Sequence, residues 1–357
     1  MKFGIFDQND ASGAAPQDHY ARRLEMVELY DRSGFHIYHM SEHHGTALSL
    51  TPSPNVFLAA VAQRTRRLRF GPLVYLLPLY NPLRLVEEIC LLDGLSGGRF
   101  EFGIGRGASP HEIRFMGVDP ADAASIYEEV YELVMQGLTV HRLDFKGRHW
   151  TFDDVPVAVR PVQLPHPPMW YAAASAETAR WPAQNGFNII AGGPRERVKA
   201  VAASCREVWS GSGAAAQSSR LVGLNRYIVV AESNDDAVRI ARGAWIKFYE
   251  SFWRLWADYG GKPANAALPD SIDPLIASGG AVVGTPDRVA ELLAEEIAYT
   301  GVNFLSGSFV FGDMRHEDAV RSVSLFATQV IPKLAHAGGP VTGPARPASA
   351  PAHGEQA

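Results

Sequence analysis

Short apolar runs alternate with longer amphipathic segments along most of the chain. The first pair is the strand-like run Lys2–Phe6 and the amphipathic segment Asp18–Arg32, and the alternation continues to about residue 334. Short apolar runs bounded by glycine or proline are typical of buried strands. The pattern predicts eight strands, at Lys2–Phe6, Phe35–Met40, Leu68–Leu77, Arg99–Ile104, Met169–Ala173, Phe187–Ala191, Leu221–Ala231 and Val302–Leu305.

The amphipathic segments carry the start and stop signals of helices. Pro82 stands in the first turn of one segment, and Ser96-Gly97-Gly98 ends it with the residue that tolerates the left-handed conformation. The predicted helices are Asp18–Arg32, Asn55–Arg64, Pro82–Leu95, Ala121–Leu138, Ser175–Asn185, Glu196–Trp209, Asp235–Tyr259, Thr285–Tyr299 and His316–Leu334. Because a helix follows each of eight strands, we predict an α/β protein with a closed (β/α)8 TIM barrel rather than an open sheet.

Three segments depart from the alternation. Thr139–Pro168 contains several prolines and Gly260–Val282 lacks periodicity, so we expect both to be irregular insertions on the C-terminal face that form or cover a pocket mouth. The end of the chain is rich in Ala, Gly and Pro without periodicity, a composition typical of disorder. The sequence therefore predicts one domain over residues 1–335 and a disordered tail over residues 336–357.

Composition excludes several classes of protein. The 357 residues carry a formal net charge of −5, which provides no basic surface for nucleic acid or an anionic membrane. Cys90 and Cys205 are the only cysteines and lie far apart, so a disulfide framework is not expected. The chain enters its first strand directly, without a basic and apolar leader. We therefore expect a cytoplasmic protein.

The stretch Leu91–Gly107 predicts an anion site. A helix ends at Ser96-Gly97-Gly98, a strand follows, and the strand opens into Gly105-Arg106-Gly107. In a barrel, the loops after the strands form the active face. We therefore expect Arg106 to bind a phosphate, with Gly105 and Gly107 letting backbone N–H groups approach it. The alternative is a surface arginine paired with a nearby acid.

Further polar clusters follow other strands on the same face. Glu42-His43-His44 suggests acid–base chemistry, since imidazole titrates near neutral pH and a carboxylate can orient it. The alternatives are two hydrogen-bonded loop histidines, or a metal site including His39, although no other cluster has ligand spacing and we expect no metal. Gly192-Gly193 follows the sixth strand.

Two helix starts compete as anion sites. Ser175 and Thr178 begin the helix after the fifth strand, where their hydroxyls either cap the helix or face an anion. Thr285 begins a later helix with the same ambiguity, and its position near the last strands of a barrel makes it a rival phosphate site.

A set of short motifs connects these residues to a known family. They are Glu42-His43-His44-Gly45, Leu77-Pro78 through Asn81-Pro82, Glu87-Glu88 through Leu92-Asp93, Leu95-Ser96-Gly97-Gly98-Arg99-Phe100, Gly103-Ile104-Gly105-Arg106-Gly107, Pro161-Val162-Gln163 with Pro165-His166-Pro167-Pro168, Ala174-Ser175, Gly284-Thr285-Pro286 and Val330-Ile331-Pro332. In this order, over about residues 1–334, the set resembles the bacterial luciferase-like, flavin-dependent monooxygenases.

The resemblance implies a cofactor and partners. It implies a usually dimeric barrel, a homodimer here, that takes reduced FMN (FMNH2) from a partner flavin reductase. The reduced flavin reacts with O2 to a C4a-peroxyflavin, which oxygenates a small organic substrate. Carried over by position, the family's flavin contacts fall on Arg106, Gly107, the backbone at Ala108, Ala174, Ser175 and Thr178.

The resemblance also implies roles for the residues around the flavin. His43 is the expected acid–base residue, oriented by Glu42 and supported by His44. A non-proline cis peptide is expected near Leu73–Val74. We expect apolar walls around Phe6, Tyr75 and Trp170 to exclude water.

Two departures from luciferase itself narrow the expected activity. Ala174 stands in place of a glutamate that contacts the flavin site, and Gly105 stands in place of a reactive cysteine. These changes make light emission from a long-chain aldehyde a poor expectation. Two alternatives stay open: a deazaflavin (F420)-dependent dehydrogenase on the same barrel, and a non-catalytic flavin-binding protein.

Overall fold

Eight parallel strand positions surround a common interior in the computed structural model, which describes residues 1–211, 220–263 and 268–337. Within these residues the strands are β1 Lys2–Asp7, β2 Ile37–Met40, β3 Arg69–Pro72, β4 Tyr75–Leu76, β5 Phe102–Gly105, β6 Arg142–Lys146, β7 Thr151–Pro156, β8 Met169–Ala173, β9 Asn188–Ala191, β10 Val222–Val230, β11 Ala281–Gly284 and β12 Phe304–Ser308. Neighbours pair in the order β3-β2-β1-β12-β10-β9-β8-β5-β4, with β3 and β4 forming the two halves of the third barrel strand.

The barrel closes where the third strand meets the fifth. β4 pairs in parallel with β5, and a parallel bridge joins Phe70 to Phe100 just before β5. The predicted (β/α)8 TIM barrel is therefore confirmed. The third strand is interrupted between Pro72 and Tyr75, where the peptide bond Leu73–Val74 is cis, as the family resemblance implied.

Helices surround the barrel. They are α1 Pro16–Arg32, α2 Pro54–Arg64, α3 Pro82–Ser96, α4 Pro110–Phe115, α5 Ala123–Gly137, α6 Ala176–Gln184, α7 Arg195–Trp209, α8 Asn234–Tyr259, α9 Asp273–Ser278, α10 Pro286–Thr300, α11 His316–Leu325 and α12 Ile331–Ala337, with a 3₁₀ turn at Leu77–Leu79 and a π turn at Phe326–Val330. The glycine stop after α3 is confirmed, because Gly97 adopts the left-handed conformation with φ of 63°.

Several predicted boundaries were wrong. The segment Gly260–Val282 is not wholly irregular: it contains α9 and the start of β11, which pairs in parallel with the end of β10. The eighth barrel strand runs Phe304–Ser308 rather than Val302–Leu305. The apolar pattern ended too early there, because Ser306 and Ser308 are buried inside the strand. The first insertion contains the antiparallel hairpin β6–β7.

The last predicted helix and the start of the predicted tail differ from the structure. His316–Leu334 is not one continuous helix, since the π turn separates α11 from α12. The helix α12 extends to Ala337, two residues into the predicted tail, and residues 338–357 of that tail lie outside the described residues. Cys90 and Cys205 are both buried and free. In the described part of the chain, no helix combines the length and apolar character needed to cross a membrane.

Large aromatic and aliphatic side chains fill the barrel interior. One buried cluster contains Ile37, Trp170, Ile190 and Phe304, contributed by four different strands. Beside this cluster, the buried carboxylate of Glu101 accepts a hydrogen bond from the Trp170 indole and forms an ion pair with the Arg69 guanidinium. The interior is therefore packed on this side, which leaves the loops after the strands to form a cavity.

The closure of the barrel predicts a large penalty at Gly71. A Cβ atom at this position would overlap the backbone carbonyl oxygen of Glu101, which cannot rotate away. We expect Gly71→Ala to lower the free energy of unfolding, measured in urea, by at least the roughly 1–3 kcal/mol typical of overpacking. The matched control is Gly94→Ala in α3, where a Cβ meets nothing within 4 Å and helix propensity adds about 1 kcal/mol. Equal stabilities of the two variants would contradict this account of closure.

Candidate active site at the ends of the strands

A buried carboxylate ties the loop after β2 to the third barrel strand. Glu42 is 3% exposed, and its Oε2 accepts a hydrogen bond of 2.9 Å from the backbone N–H of Leu76. Its Oε1 lies 2.8 Å from Nε2 of His44. Glu42 therefore positions His44 and the end of β4 relative to each other.

A second buried carboxylate, Glu112 of α4, holds the same loop from the other side. It lies 3.2 Å from Nδ1 of His43 and accepts a hydrogen bond of 3.1 Å from the backbone N–H of His44. A carboxylate only accepts hydrogen bonds, so Nδ1 of His43 is the donor and Nε2 is left free for a proton. The expectation that Glu42 orients His43 was wrong. Neighbouring side chains point in different directions, and Glu42 reaches His44 while Glu112 reaches His43.

Glu112 is the residue that sequence reasoning missed. Ser109 caps α4 by accepting a hydrogen bond from the backbone N–H of Glu112, and Pro110 stands at the first helical position. The pattern Ser-Pro-x-Glu is the local signature of a helix start. It predicts a glutamate that reaches back to its own cap, whereas this one reaches a loop 69 residues away in sequence.

The two carboxylates make His44 a stronger base than an ordinary histidine. Burial disfavours the charged ring, but the hydrogen bond to Glu42 and the charges of Glu42 and Glu112 outweigh it, so the pKa of His44 is raised. His39 behaves in the opposite way. Its ring is buried against Trp170, with the ring centroids 4.6 Å apart, and burial lowers the pKa of His39 to about 3.

The described residues contain no cluster that suits a metal ion. No group of three or more His, Cys, Asp or Glu side chains within them could hold one. His39 lies inside the barrel between aromatic rings and does not join His43 and His44 through any contact in the described structure.

Arg106 lies exposed directly after β5. No hydrogen bond or ion pair joins its guanidinium to another described residue, so the alternative of a surface arginine paired with an acid is absent there. β5 and β8 are neighbours in the barrel, so Arg106 and Ser175 follow the ends of adjacent strands. The structure therefore brings these two predicted residues to one region of the C-terminal face.

The glycines around Arg106 make room for the third barrel strand and turn the chain. A Cβ at Gly105 or Gly103 would collide with the side chain of Val74, next to the cis peptide. Gly105 thus provides room for Val74, and the approach of backbone N–H groups to a phosphate at Gly105 and Gly107 stays a prediction. Gly107 has φ of 90°, a conformation that suits glycine and turns the chain toward Ala108.

Ser175 and Thr178 form a reciprocal capping box at the start of α6. Ser175 Oγ accepts from the Thr178 N–H at 3.2 Å, and Thr178 Oγ1 accepts from the Ser175 N–H at 3.0 Å. Capping thus accounts for both residues within the protein. Thr285 likewise caps α10 by accepting from the backbone N–H of Arg288, while its own N–H donates to Asn234.

A cavity of about 960 Å³ opens at the C-terminal ends of β8 and β9. Its apolar wall contains Phe6, Leu73 and Ile190, and Ala172, Ala173 and Ala174 line the side formed by β8. The lining residues also include Gly192-Gly193, but none of Glu42, His43, His44, Arg106, Ser175 and Thr178. Cavities of this size are typical of cofactor and substrate sites.

Of the three expected apolar wall residues, only Phe6 lines the cavity. Trp170 is fully buried in the barrel interior, and Tyr75 is fully buried with its hydroxyl bonded to Asn55. Both rings were assigned to the wall because they lie near strand ends, but their polar atoms have partners inside the protein, which directs the rings away from the cavity.

The His44 pair predicts a pH-dependent stability. A histidine whose pKa is raised by folding contributes stability that is complete below its unfolded pKa of about 6.5 and disappears as the pH rises through the folded value. We expect Glu42→Gln to lower the pKa of His44, measured by NMR titration, and to destabilise the protein more at pH 6 than at pH 9. Glu177→Gln, at an exposed helix position, is the control. A wild-type His44 that titrates at or below 6.5 would refute the pairing.

Comparison with known proteins identifies relatives of this chain. An uncharacterized protein from Sinorhizobium fredii is 42% identical over 314 residues, which are 88% of this chain and 92% of the relative. The oxygenase component of a flavin-dependent trigonelline monooxygenase from Acinetobacter baylyi is 31% identical over 193 residues, 53% of each chain.

Solved structures agree with the fold. The monooxygenase RslO1 from Streptomyces bottropensis superposes with a TM-score of 0.77 at 26% identity, covering 93% of this chain and 99% of that one. The oxygenating constituent of 3,6-diketocamphane monooxygenase from Pseudomonas putida, in complex with FMN, superposes with a TM-score of 0.76 at 19% identity, covering 94% and 98%. The model of the luciferase-like monooxygenases matches residues 1–303, and the chain therefore belongs to that family.

Proposed function

We propose that this chain is the oxygenase of a two-component system, which uses reduced FMN from a separate reductase and O2 to oxygenate a small organic substrate. The observation that carries the proposal is the position of Arg106, a cation without a counterion among the described residues. Arg106 follows β5, and the neighbouring strand β8 lines the cavity. Family membership supports flavin-dependent oxygenation, and the relative from Acinetobacter baylyi is named as an oxygenase component.

The residues present fit FMN. Arg106, the backbone N–H groups of Gly107 and Ala108, and the hydroxyls of Ser175 and Thr178 would hold the phosphate. Ala174 and its neighbours leave the β8 side of the cavity free of long side chains. Asn225 lines the same cavity, and its carbonyl oxygen, Oδ1, is buried with no hydrogen-bond partner among the described residues. Such an acceptor suits an N–H or O–H group of a bound ligand.

Reduced FMN, when bound, supplies the electrons that activate O2. In this proposal His43 moves a proton at Nε2, because Glu112 holds Nδ1 and thereby selects the tautomer and the ring orientation. Glu42 supports the His43–Glu112 pair indirectly, because it holds the adjacent His44 against the end of β4. Phe6, Leu73 and Ile190 exclude water from the cavity.

The outer surface also supports the expected homodimer. On α2, Val56 is 73% exposed, and on the adjacent α3, Leu91 is 57% exposed. Large apolar side chains exposed together on neighbouring helices are typical of surfaces that associate. We propose that a second copy of the chain covers them.

The phosphate assignment predicts selective loss of FMN. Arg106→Gln should weaken FMN binding, measured by quenching of flavin fluorescence, by about tenfold or more, because it removes a charge-assisted contact. Riboflavin has no phosphate, so its binding should be unchanged. Thr285→Ala tests the rival site and should leave both affinities unchanged. Loss of riboflavin binding to the same degree would contradict a phosphate contact at Arg106.

The oxygenase assignment predicts two separable activities. Mixing the protein anaerobically with FMNH2 and then with O2 should slow flavin reoxidation relative to free flavin, and an ¹⁸O2 screen should place labelled oxygen in a product. His43→Ala should keep FMN binding and lose the labelled product, because the proton-transfer group is gone.

Reoxidation at the rate of free flavin would favour the F420-dependent or non-catalytic alternative. In that case the ligand that protects the protein thermally identifies the cofactor, since a ligand at 100 times its Kd adds roughly 2.7 kcal/mol.

A further inference from the structure

The rim of the cavity between β9 and α7 is basic. Gly192-Gly193-Pro194 leads into α7, whose first turn contains Arg195 and Arg197, and all of these residues line the cavity. Cations in the first turn of a helix oppose the helix macrodipole, which favours negative charge there. A local preference broken in this way, at the edge of a cavity, points to a functional requirement.

The two arginines differ in their partners. Nη1 of Arg195 lies 3.1 Å from Oε1 of Glu295, and its guanidinium stacks 3.9 Å from the ring centroid of Tyr299. The guanidinium of Arg197 forms no hydrogen bond or ion pair with any residue that the structure describes. Its guanidinium lies over the backbone of Gly193, where an added Cβ would come within 2.8 Å of Nη1.

The other charges of the lining do not neutralise Arg197. Arg226 is buried and pairs with Glu296, with Nε 3.0 Å from Oε1. Glu196 is exposed and acts electrostatically on Arg195. Arg197 is therefore the uncompensated cation on this rim of the cavity, within the described residues.

We infer that the cavity binds an organic carboxylate, with the carboxylate held by Arg197 and the apolar part of the molecule packed against Phe6, Leu73 and Ile190. The planar fork of an arginine matches a carboxylate with two parallel hydrogen bonds. The inference rests on the proposed function and adds to it the class of substrate, an organic carboxylate.

This position is distinct from the proposed phosphate position. Arg106 follows β5, whereas Arg197 follows β9, and β8 separates these two strands in the barrel. Arg197 lines the cavity and Arg106 does not. The C-terminal face therefore presents two cations for two anionic groups, one on the cofactor and one on the substrate.

Matched ligands test the inference directly. Calorimetric titration compares 4-phenylbutyrate with 4-phenylbutanamide, which has nearly the same shape and no charge, on the full-length protein without flavin. In the wild type the carboxylate should bind at least tenfold more tightly than the amide. Arg197→Gln should reduce this ratio to about one, and Arg197→Lys should retain part of it, because the charge remains and the fork is lost.

Arg195→Gln is the matched control. Arg195 stands on the same rim and the same helix turn, but its charge is already paired with Glu295, so the ratio should stay near its wild-type value. A wild-type ratio near one, no binding of the carboxylate at millimolar concentration, or equal losses in the Arg195 and Arg197 variants would overturn the inference.

FMN titrations separate this inference from the proposed function. Arg197→Gln should leave FMN affinity unchanged, and a loss as large as that of Arg106→Gln would make Arg197 a cofactor contact and overturn its assignment to the substrate. A wild-type protein that binds no flavin but keeps the carboxylate preference would refute the oxygenase and leave the carboxylate site in place.

Discussion

The rest of the structure depends on the close approach of the third barrel strand to the segment that leads into β5. The carbonyl of Phe70 accepts a hydrogen bond from the N–H of Glu101 there, and the N–H of Phe70 donates to the carbonyl of Arg99. The absence of a side chain at Gly71 lets the two backbones meet. A parallel sheet without this contact would remain open, and its helices would cover two separate faces. Because the sheet closes, the ends of all eight strand positions surround one region, and loops distant in sequence become neighbours.

Two buried carboxylates connect loops of the candidate site that the closed barrel brings together. Glu42 links the loop after β2 to the end of β4, and Glu112 links that loop to α4 after β5. Burying a carboxylate is costly unless hydrogen bonds satisfy it, and here backbone N–H groups and imidazoles do so. The same contacts determine which nitrogen of His43 is free and raise the pKa of His44. The contacts that support the loop therefore also set the hydrogen bonding of both imidazoles.

The arginines on the C-terminal face differ in whether an acid neutralises them. Two of the arginines that line the cavity are paired, Arg226 with Glu296 and Arg195 with Glu295. Arg106 and Arg197 have no such partner among the described residues, and they stand after strands on either side of β8. A cofactor phosphate and a substrate carboxylate would compensate the two charges separately. The apolar wall between them would then hold the reacting groups away from water.

Much of the architecture follows from local patterns. The apolar runs, Pro82 and Gly97 predict elements whose bounds the structure reproduces within a few residues, because strand period, helix caps and left-handed glycines are properties of short segments. The motifs around Arg106 and His43 also indicate the family correctly. The pattern predicted the wrong end for the eighth strand, because Ser306 and Ser308 are polar residues that are nevertheless buried.

The sequence by itself therefore determined the barrel and the order of its eight strands. Only the tertiary structure decided that Glu112 orients His43, that Glu42 orients His44, and that Gly105 makes room for Val74. It also decided which arginines keep a free charge. These outcomes depend on contacts between residues far apart in the chain, and the direction of one side chain toward another is not encoded in the spacing of either.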